Sequence, residues 1–352
     1  MQNKIDNDYN LLQDLFDWIW FKIFPDNKPK TTKEEIEELF PTLPTMIKYE
    51  LPKRNAKEGI YIPLGQTFKN KTIALDLIEN PHSYIVGTTG SGKSCMTKAI
   101  LTSLVTTYKP TELELYLADP KRVELNLFRN TQHCKKFVYE IQDITELIAD
   151  LLAETNKRYD LFMQYEVTNI FEYNKLQGVK KLKYQVLFVE EIVMLLMDAK
   201  KQAMKLLKQL IAVSRASGLY IFLTTQRPDY TVLDTIVKAN INNRIVLKCE
   251  DVKNSVVALD SAGAENLRGN GHGIIKRGCN LEEFQGYFIT DTQVKKLIKS
   301  FIKPKSENKP LNDKLLNEDN KTSHNSNIQA TDTKENINKD SKIIDLDFIK
   351  NL

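Results

Sequence analysis

The spacing of apolar positions divides the chain into stretches of different character. Near the start, Leu12, Leu15, Phe16, Ile19 and Ile23 recur at helical spacing with Trp18 and Trp20 beside them, and Pro25 and Pro29 end the pattern. This stripe suits either packing on the protein's own core or docking against a partner or a membrane surface; Asp14 and Asp17 argue against the membrane. An acidic helical run over 31–40 starts at a threonine cap, and Pro41, Pro44 and Pro52 mark a connector. From Gly59 onward short apolar runs alternate with longer helical ones. Residues 84–86, 113–117, 185–189, 220–224 and 244–248 read as buried strands, and 93–107, 143–165 and 199–216 as the helices between them. Such alternation predicts an α/β domain whose mainly parallel sheet is flanked by helices on both faces.

After Pro304 the sequence becomes rich in Asn, Lys, Ser, Asp and Thr and cannot bury enough surface to fold alone. Its last residues, 343–352, regain apolar character and suit either a docking motif or a frayed end. The expected organisation is a helical extension and connector over 1–58, a catalytic domain over 59–303 and a disordered tail over 304–352.

Composition narrows this little. A hydrophobic fraction of 41% and a charged fraction of 27% are those of a globular protein, and a net charge of +4 permits nucleic acid without requiring it. Cys95, Cys134, Cys249 and Cys279 lack zinc-ligand spacing and any disulfide framework, which fits a reducing cytoplasmic compartment. The apolar run 11–24 is interrupted by Asp14, Asp17 and Lys22 and is shorter than the ~20 residues of a spanning helix. No transmembrane segment is expected, and any membrane association would come through partners.

The chemistry lies in GTTGSGKS, residues 87–94. Gly87, Gly92, Lys93 and Ser94 satisfy G-x-x-x-x-G-K-[ST] directly between a predicted strand and a predicted helix, the context that separates a phosphate-binding loop from a chance Gly-rich turn. The backbone of Gly87, Thr88, Thr89, Gly90, Ser91 and Gly92, continuing into Lys93, Ser94 and Cys95, is expected to wrap the phosphates of ATP. Lys93 is expected to reach the β and γ phosphates from a solvent-facing loop, and Ser94 to ligate magnesium. A second predicted strand ends in Glu190 and Glu191. By position Glu190 would face the magnesium and Glu191 would activate the attacking water; alternatively, both would cap the following helix. Gln226, ending a third strand, is placed to touch the γ-phosphate or the lytic water. Arg215 and Arg244 are candidates to complete a neighbouring subunit's site or to form structural ion pairs.

These residues belong to a longer pattern. IPLGQTFKNKTIALDL, NPHSYIVGTTGSGKS, LADPKRVELNLF, LFVEEIVMLLM, TTQRP and DSAGAE occur in order between Ile62 and Ile275, and together they resemble the motor domain of the FtsK/SpoIIIE family. The resemblance implies a RecA-like P-loop ATPase that assembles as a ring, usually a hexamer, around double-stranded DNA and moves along it. It also places Asp119, Lys121, Glu124 and Arg227 near the nucleotide or the pore. Where the family usually carries Asp-Glu, this chain has Glu190-Glu191, and neither the family's membrane helices nor its winged-helix module is recognisable. That architecture is similar to coupling ATPases of conjugative and mobile elements, in which the N-terminal helix or the C-terminal tail would meet a relaxase or transfer-channel proteins. Two other readings stay open: a nucleotide-dependent DNA- or relaxase-binding adaptor with little turnover, and a helicase-like ATPase acting on single strands.

Overall fold

The computed structural model describes residues 43–52, 59–198 and 201–304. The N-terminal helical stripe, the acidic run and the low-complexity tail expected from the sequence lie outside these residues.

At the centre, β4 (His82–Val86) pairs in parallel with β9 (Asn243–Leu247) on one side and with β8 (Leu219–Thr225) on the other. Beyond β8 follow β7 (Tyr184–Val189), β5 (Leu113–Ala118) and β6 (Cys134–Val138), all parallel. The central strands β4, β7 and β8 are almost wholly buried because both of their faces are covered, whereas β6 at the edge carries Lys135 and Lys136. On β7, Val186 and Phe188 join the core cluster under α1 (Lys93–Thr107), while Leu187 and Val189 join the cluster under α2 (Ile141–Gln164) and α4 (Gln202–Val213). α3 (Ile170–Lys175) carries a smaller apolar cluster, and the shorter α5 (Thr235–Asn240) and α6 (Val252–Leu259) flank β9.

The sheet continues past β9 with the opposite pairing. β10 (His272–Arg277), β11 (Asn280–Phe288), β2 (Tyr61–Gln66) and β3 (Thr72–Asp76) are successively antiparallel, and β1 (Ile47–Lys48) lies parallel to β11. α7 (Asp291–Ile298) starts with a capping box between Thr290 and Gln293 and packs on α1. Among the described residues the sheet has 11 strands in all. The mainly parallel sheet expected from the sequence is therefore its catalytic half.

This order positions the site. Because β8 runs between β4 and β7, the phosphate loop after β4, the threonines ending β8 and the glutamates after β7 all emerge at the same carboxyl edge. No helix among the described residues is long and apolar enough to cross a membrane.

Candidate active site

The phosphate loop is shaped by its glycines and laced to its neighbours. Gly90 and Gly92 adopt φ 78 and φ 101, which side chains disfavour. A Cβ on Gly92 would also lie 2.4 Å from the Gly271 nitrogen. The loop is fixed from outside by Asn270 N–H donating to Gly90 O (3.1 Å), Gly271 N–H to Ser91 O (2.7 Å), Thr88 N–H to Lys248 O (3.0 Å) and Gly87 N–H to Thr225 O (3.2 Å). The α1 amino terminus thus begins at a glycine with no side-chain cap, leaving its N–H groups for an anion.

Lys93 is nearly buried and its ammonium donates to Glu190 Oε1. Its expected exposure to solvent is therefore corrected: Glu190 neutralises it inside the site. The second Glu190 oxygen is buried without a hydrogen-bond partner. Burial pushes the Glu190 carboxyl up from its usual range, Lys93 and then Thr224 oppose this, and the Glu124 carboxylate adds a little to it. Ser94 Oγ donates to Glu124 Oε1 at 2.6 Å.

Glu191 is held differently. Its backbone sits at φ 51, an unusual conformation for a residue with a side chain and one that concentrates at functional sites. Its Oε1 accepts from Thr225 Oγ1 (2.8 Å) and from the Gln226 N–H (3.2 Å), and its Oε2 accepts from Lys121 Nζ (2.7 Å). Burial would raise this carboxyl, but those donors outweigh it and hold it below its usual range. Beside the loop, a cleft of about 550 Å³ is lined by residues including Thr88, Thr89, Gly90, Gln226, Lys248 and Arg268.

The structure therefore gathers Gly87 to Ser94, Glu190, Glu191 and Gln226 at one edge. Three other candidates are placed differently. The Cys95 thiol turns toward the end of β11, donating to Ile289 O at 3.4 Å and accepting the Ile289 N–H at 3.1 Å. Arg244 is buried and paired with Asp260 at 2.6 Å. Arg215 precedes β8, at the amino edge of the sheet, and is exposed, its guanidinium donating to Glu79 O at 3.3 Å. The Asn270–Gly271 contacts with the loop were not singled out from the sequence, although the glycines of RGNGHG mark such a close backbone approach.

The FtsK/SpoIIIE family model matches residues 48–230. The DNA translocase FtsK of Clostridium tetani (strain Massachusetts / E88) is 32% identical over 259 residues, which is 72% of this chain and 35% of that protein. The DNA translocase FtsK of Staphylococcus epidermidis is 30% identical over 290 residues, 79% of this chain and 35% of that protein. The chain thus spans about a third of the length of the curated relatives it matches. Among solved structures, the pCW3 conjugation coupling protein TcpA, in a monomer form with ATPgS, superposes with a TM-score of 0.66 at 26% identity, covering 74% of this chain and 75% of TcpA. EssC (ATPases 2 and 3) from Geobacillus thermodenitrificans shares the fold, with a TM-score of 0.63 at 20% identity over 74% of this chain and 52% of EssC. With the P-loop, the paired glutamates and the central strand order in place, the chain belongs to the FtsK/SpoIIIE family and has the family's P-loop ATPase fold.

Proposed function

We propose that this protein hydrolyses ATP to drive double-stranded DNA through a homo-oligomeric, hexameric ring, in the service of conjugative or mobile-element transfer. The observation that carries the hydrolytic part is the convergence of Lys93, Glu190 and Glu191 on one phosphate loop. The DNA part is supported by membership of a family whose relatives are named DNA translocases, and the transfer role by the likeness to a conjugation coupling protein. The N-terminal segment and the C-terminal tail are the parts proposed to meet relaxase or channel proteins.

In this reading the phosphates of ATP take the place of Glu190 as the partner of Lys93. Magnesium, when bound, neutralises charge on the β and γ phosphates. Ser94 Oγ and Glu190 would hold it: a hydroxyl and a carboxylate are the hard oxygen donors it takes, and Glu190 Oε2 is a buried oxygen that Lys93 does not take. Glu191, oriented by Thr225 and the Gln226 N–H, accepts the proton of the attacking water. Arg244 is committed to Asp260, so Arg215 is the better candidate to stabilise charge in a neighbour's site. The firm seating of Glu191 favours turnover over a passive adaptor.

The test is ATPase activity of the purified chain without DNA, with long duplex and with single strands. Stimulation by long duplex is expected. A folded protein that binds ATP but is not stimulated by duplex rejects the motor, and a strong preference for single strands rejects duplex as the track.

A further inference from the structure

Two contacts that hold the site in its present state come from one turn. After β5 the chain folds back, Arg122 N–H donating to Asp119 O at 2.9 Å with Arg122 at φ 59. The base of the turn is clamped: the buried Asp119 accepts the Leu125 N–H at 3.0 Å, and Leu125 has no exposure to solvent. Its middle is loosely held. Val123 is 68% exposed, and Arg122 is tied only to the surface groups Glu140 and Tyr139. From this turn Glu124 takes the Ser94 hydroxyl and Lys121 takes Glu191 Oε2.

Each contact bears on a catalytic duty. The Ser94 hydroxyl is oriented by its proton's bond to Glu124 rather than by the phosphates, with its lone pairs left for a cation. Glu191 accepts three hydrogen bonds, two at Oε1 from Thr225 and Gln226 and one at Oε2 from the Lys121 ammonium, so water must share Oε2 with a cation that weakens it as a base. A triphosphate entering the loop would bring negative charge toward Glu124, whose carboxylate sits 2.6 Å from Ser94 Oγ at the end of the loop. Repulsion then acts on the turn through Glu124.

We propose that residues 119–125 form a relay that keeps Glu191 disarmed until magnesium and ATP are seated. Loss of the Ser94–Glu124 contact lets the turn shift, and Lys121 then releases Glu191 Oε2. Lys121 and Glu124 are positioning residues: the first restrains the base and the second senses occupation of the loop. The inference rests on the ATPase reading above.

The test uses the full chain with Lys121→Met, Lys121→Arg, Glu124→Ala and the Lys121→Met/Glu124→Ala double variant. Lys121→Met and Glu124→Ala are each expected to raise DNA-free kcat about fivefold or more with KM little changed, the low end of coupling between linked sites. Lys121→Arg, which keeps a cation on Glu191, should stay near the parent. The double variant should gain no more than the larger single change, because both substitutions release the same element. In a separate binding titration with ATPγS, Glu124→Ala should lower the magnesium concentration needed for binding, since a carboxylate that repels the incoming phosphates is gone. Additive gains, a drop in kcat in Lys121→Met that still binds ATPγS normally, or a raised magnesium requirement in Glu124→Ala overturns the relay. Should Lys121→Met fail to fold, Glu124→Ala alone decides through both readouts. A parent that turns over ATP while neither variant gains overturns the relay only; a folded parent with no turnover at all overturns the ATPase reading as well.

Discussion

Lys93 and Glu190 neutralise each other in a space nearly closed to solvent, their side chains retaining 5% and 2% exposure. A buried ammonium without a counter-charge is strongly disfavoured, so the carboxylate occupies the electrostatic role that phosphate takes over on binding. The residue before Glu191 is longer here than the aspartate expected from the family pattern, and it is this side chain that meets Lys93.

Lys93→Ala should therefore have two separable effects. Binding of a fluorescent ATP analogue should be lost. Thermal stability at neutral pH should also fall, because an unpaired Glu190 is left buried; the cost is at most about 3–5 kcal/mol and is reduced when Glu190 takes up a proton. Adding Glu190→Gln should restore the melting temperature but not the binding. An unchanged melting temperature in Lys93→Ala would show that the ion pair does not stabilise the fold.

The pairing also marks where the sequence stops being informative. β4, β7 and β8 are legible because each contains an apolar run that ends in chemically distinctive residues, the phosphate loop among them. The burial of Lys93 is not, because its partner lies 97 residues away and only the strand order brings the two together. The antiparallel half of the sheet is obscured for local reasons. β2 contains Pro63 and Gly65, which weaken a strand reading, and its register shifts between them. β10 and β11 carry Lys276, Arg277, Glu282 and Glu283, so their alternation is diluted by charge. Gln226 is legible as a residue of the site, yet the atom placed on Glu191 is its backbone nitrogen, which any residue but proline would supply.

Glu191→Gln keeps the shape of the side chain but cannot accept the proton of water. ATP binding should persist while turnover falls about 10²–10⁴-fold, the usual worth of a positioned base. Turnover equal to that of the parent, measured by phosphate release, would assign water activation to another group.

Gly92→Ala places a Cβ 2.4 Å from the Gly271 nitrogen at a φ of 101. Backbone strain of about 1–3 kcal/mol adds to the clash, and neither contacting segment can yield without breaking the Gly271 N–H to Ser91 O bond. Both the melting temperature and nucleotide affinity should drop. Isothermal titration that finds parental affinity would mean the loop tolerates a wider spacing.

Asp260 gathers Lys238 (2.5 Å), Arg244 (2.6 Å) and Lys276 (2.9 Å). Partial burial would raise its carboxyl, but the three cations hold it far below the usual range. Its folded value lies below its unfolded one, so its contribution is complete above the unfolded value of about 3.9 and declines only at more acid pH. Asp260→Asn should lower stability by about 1 kcal/mol, discounted for the exposure of the site. The loss should be smaller at high salt, and the gap to the parent should be constant from neutral pH down to about pH 5 and shrink below that. A gap that already closes near pH 6 would locate the effect elsewhere.

Arg215 lies at the amino edge of the sheet, while the phosphate loop of the same chain emerges from the carboxyl edge, so it can serve only another subunit's nucleotide. Arg215→Ala should leave ATP binding and melting temperature at parental values, because the guanidinium is exposed and gives up one long bond to Glu79 O. DNA-stimulated turnover should fall about 10³-fold or more if the arginine acts as a finger. The decisive experiment mixes Arg215→Ala with Glu191→Gln, each inactive alone. Where an Arg215→Ala subunit supplies the intact Glu191 and its Glu191→Gln neighbour supplies the arginine, a complete site is rebuilt and turnover should return. Mixtures as inactive as the separate variants, under conditions where mixed oligomers are detected, would exclude Arg215 from the shared site.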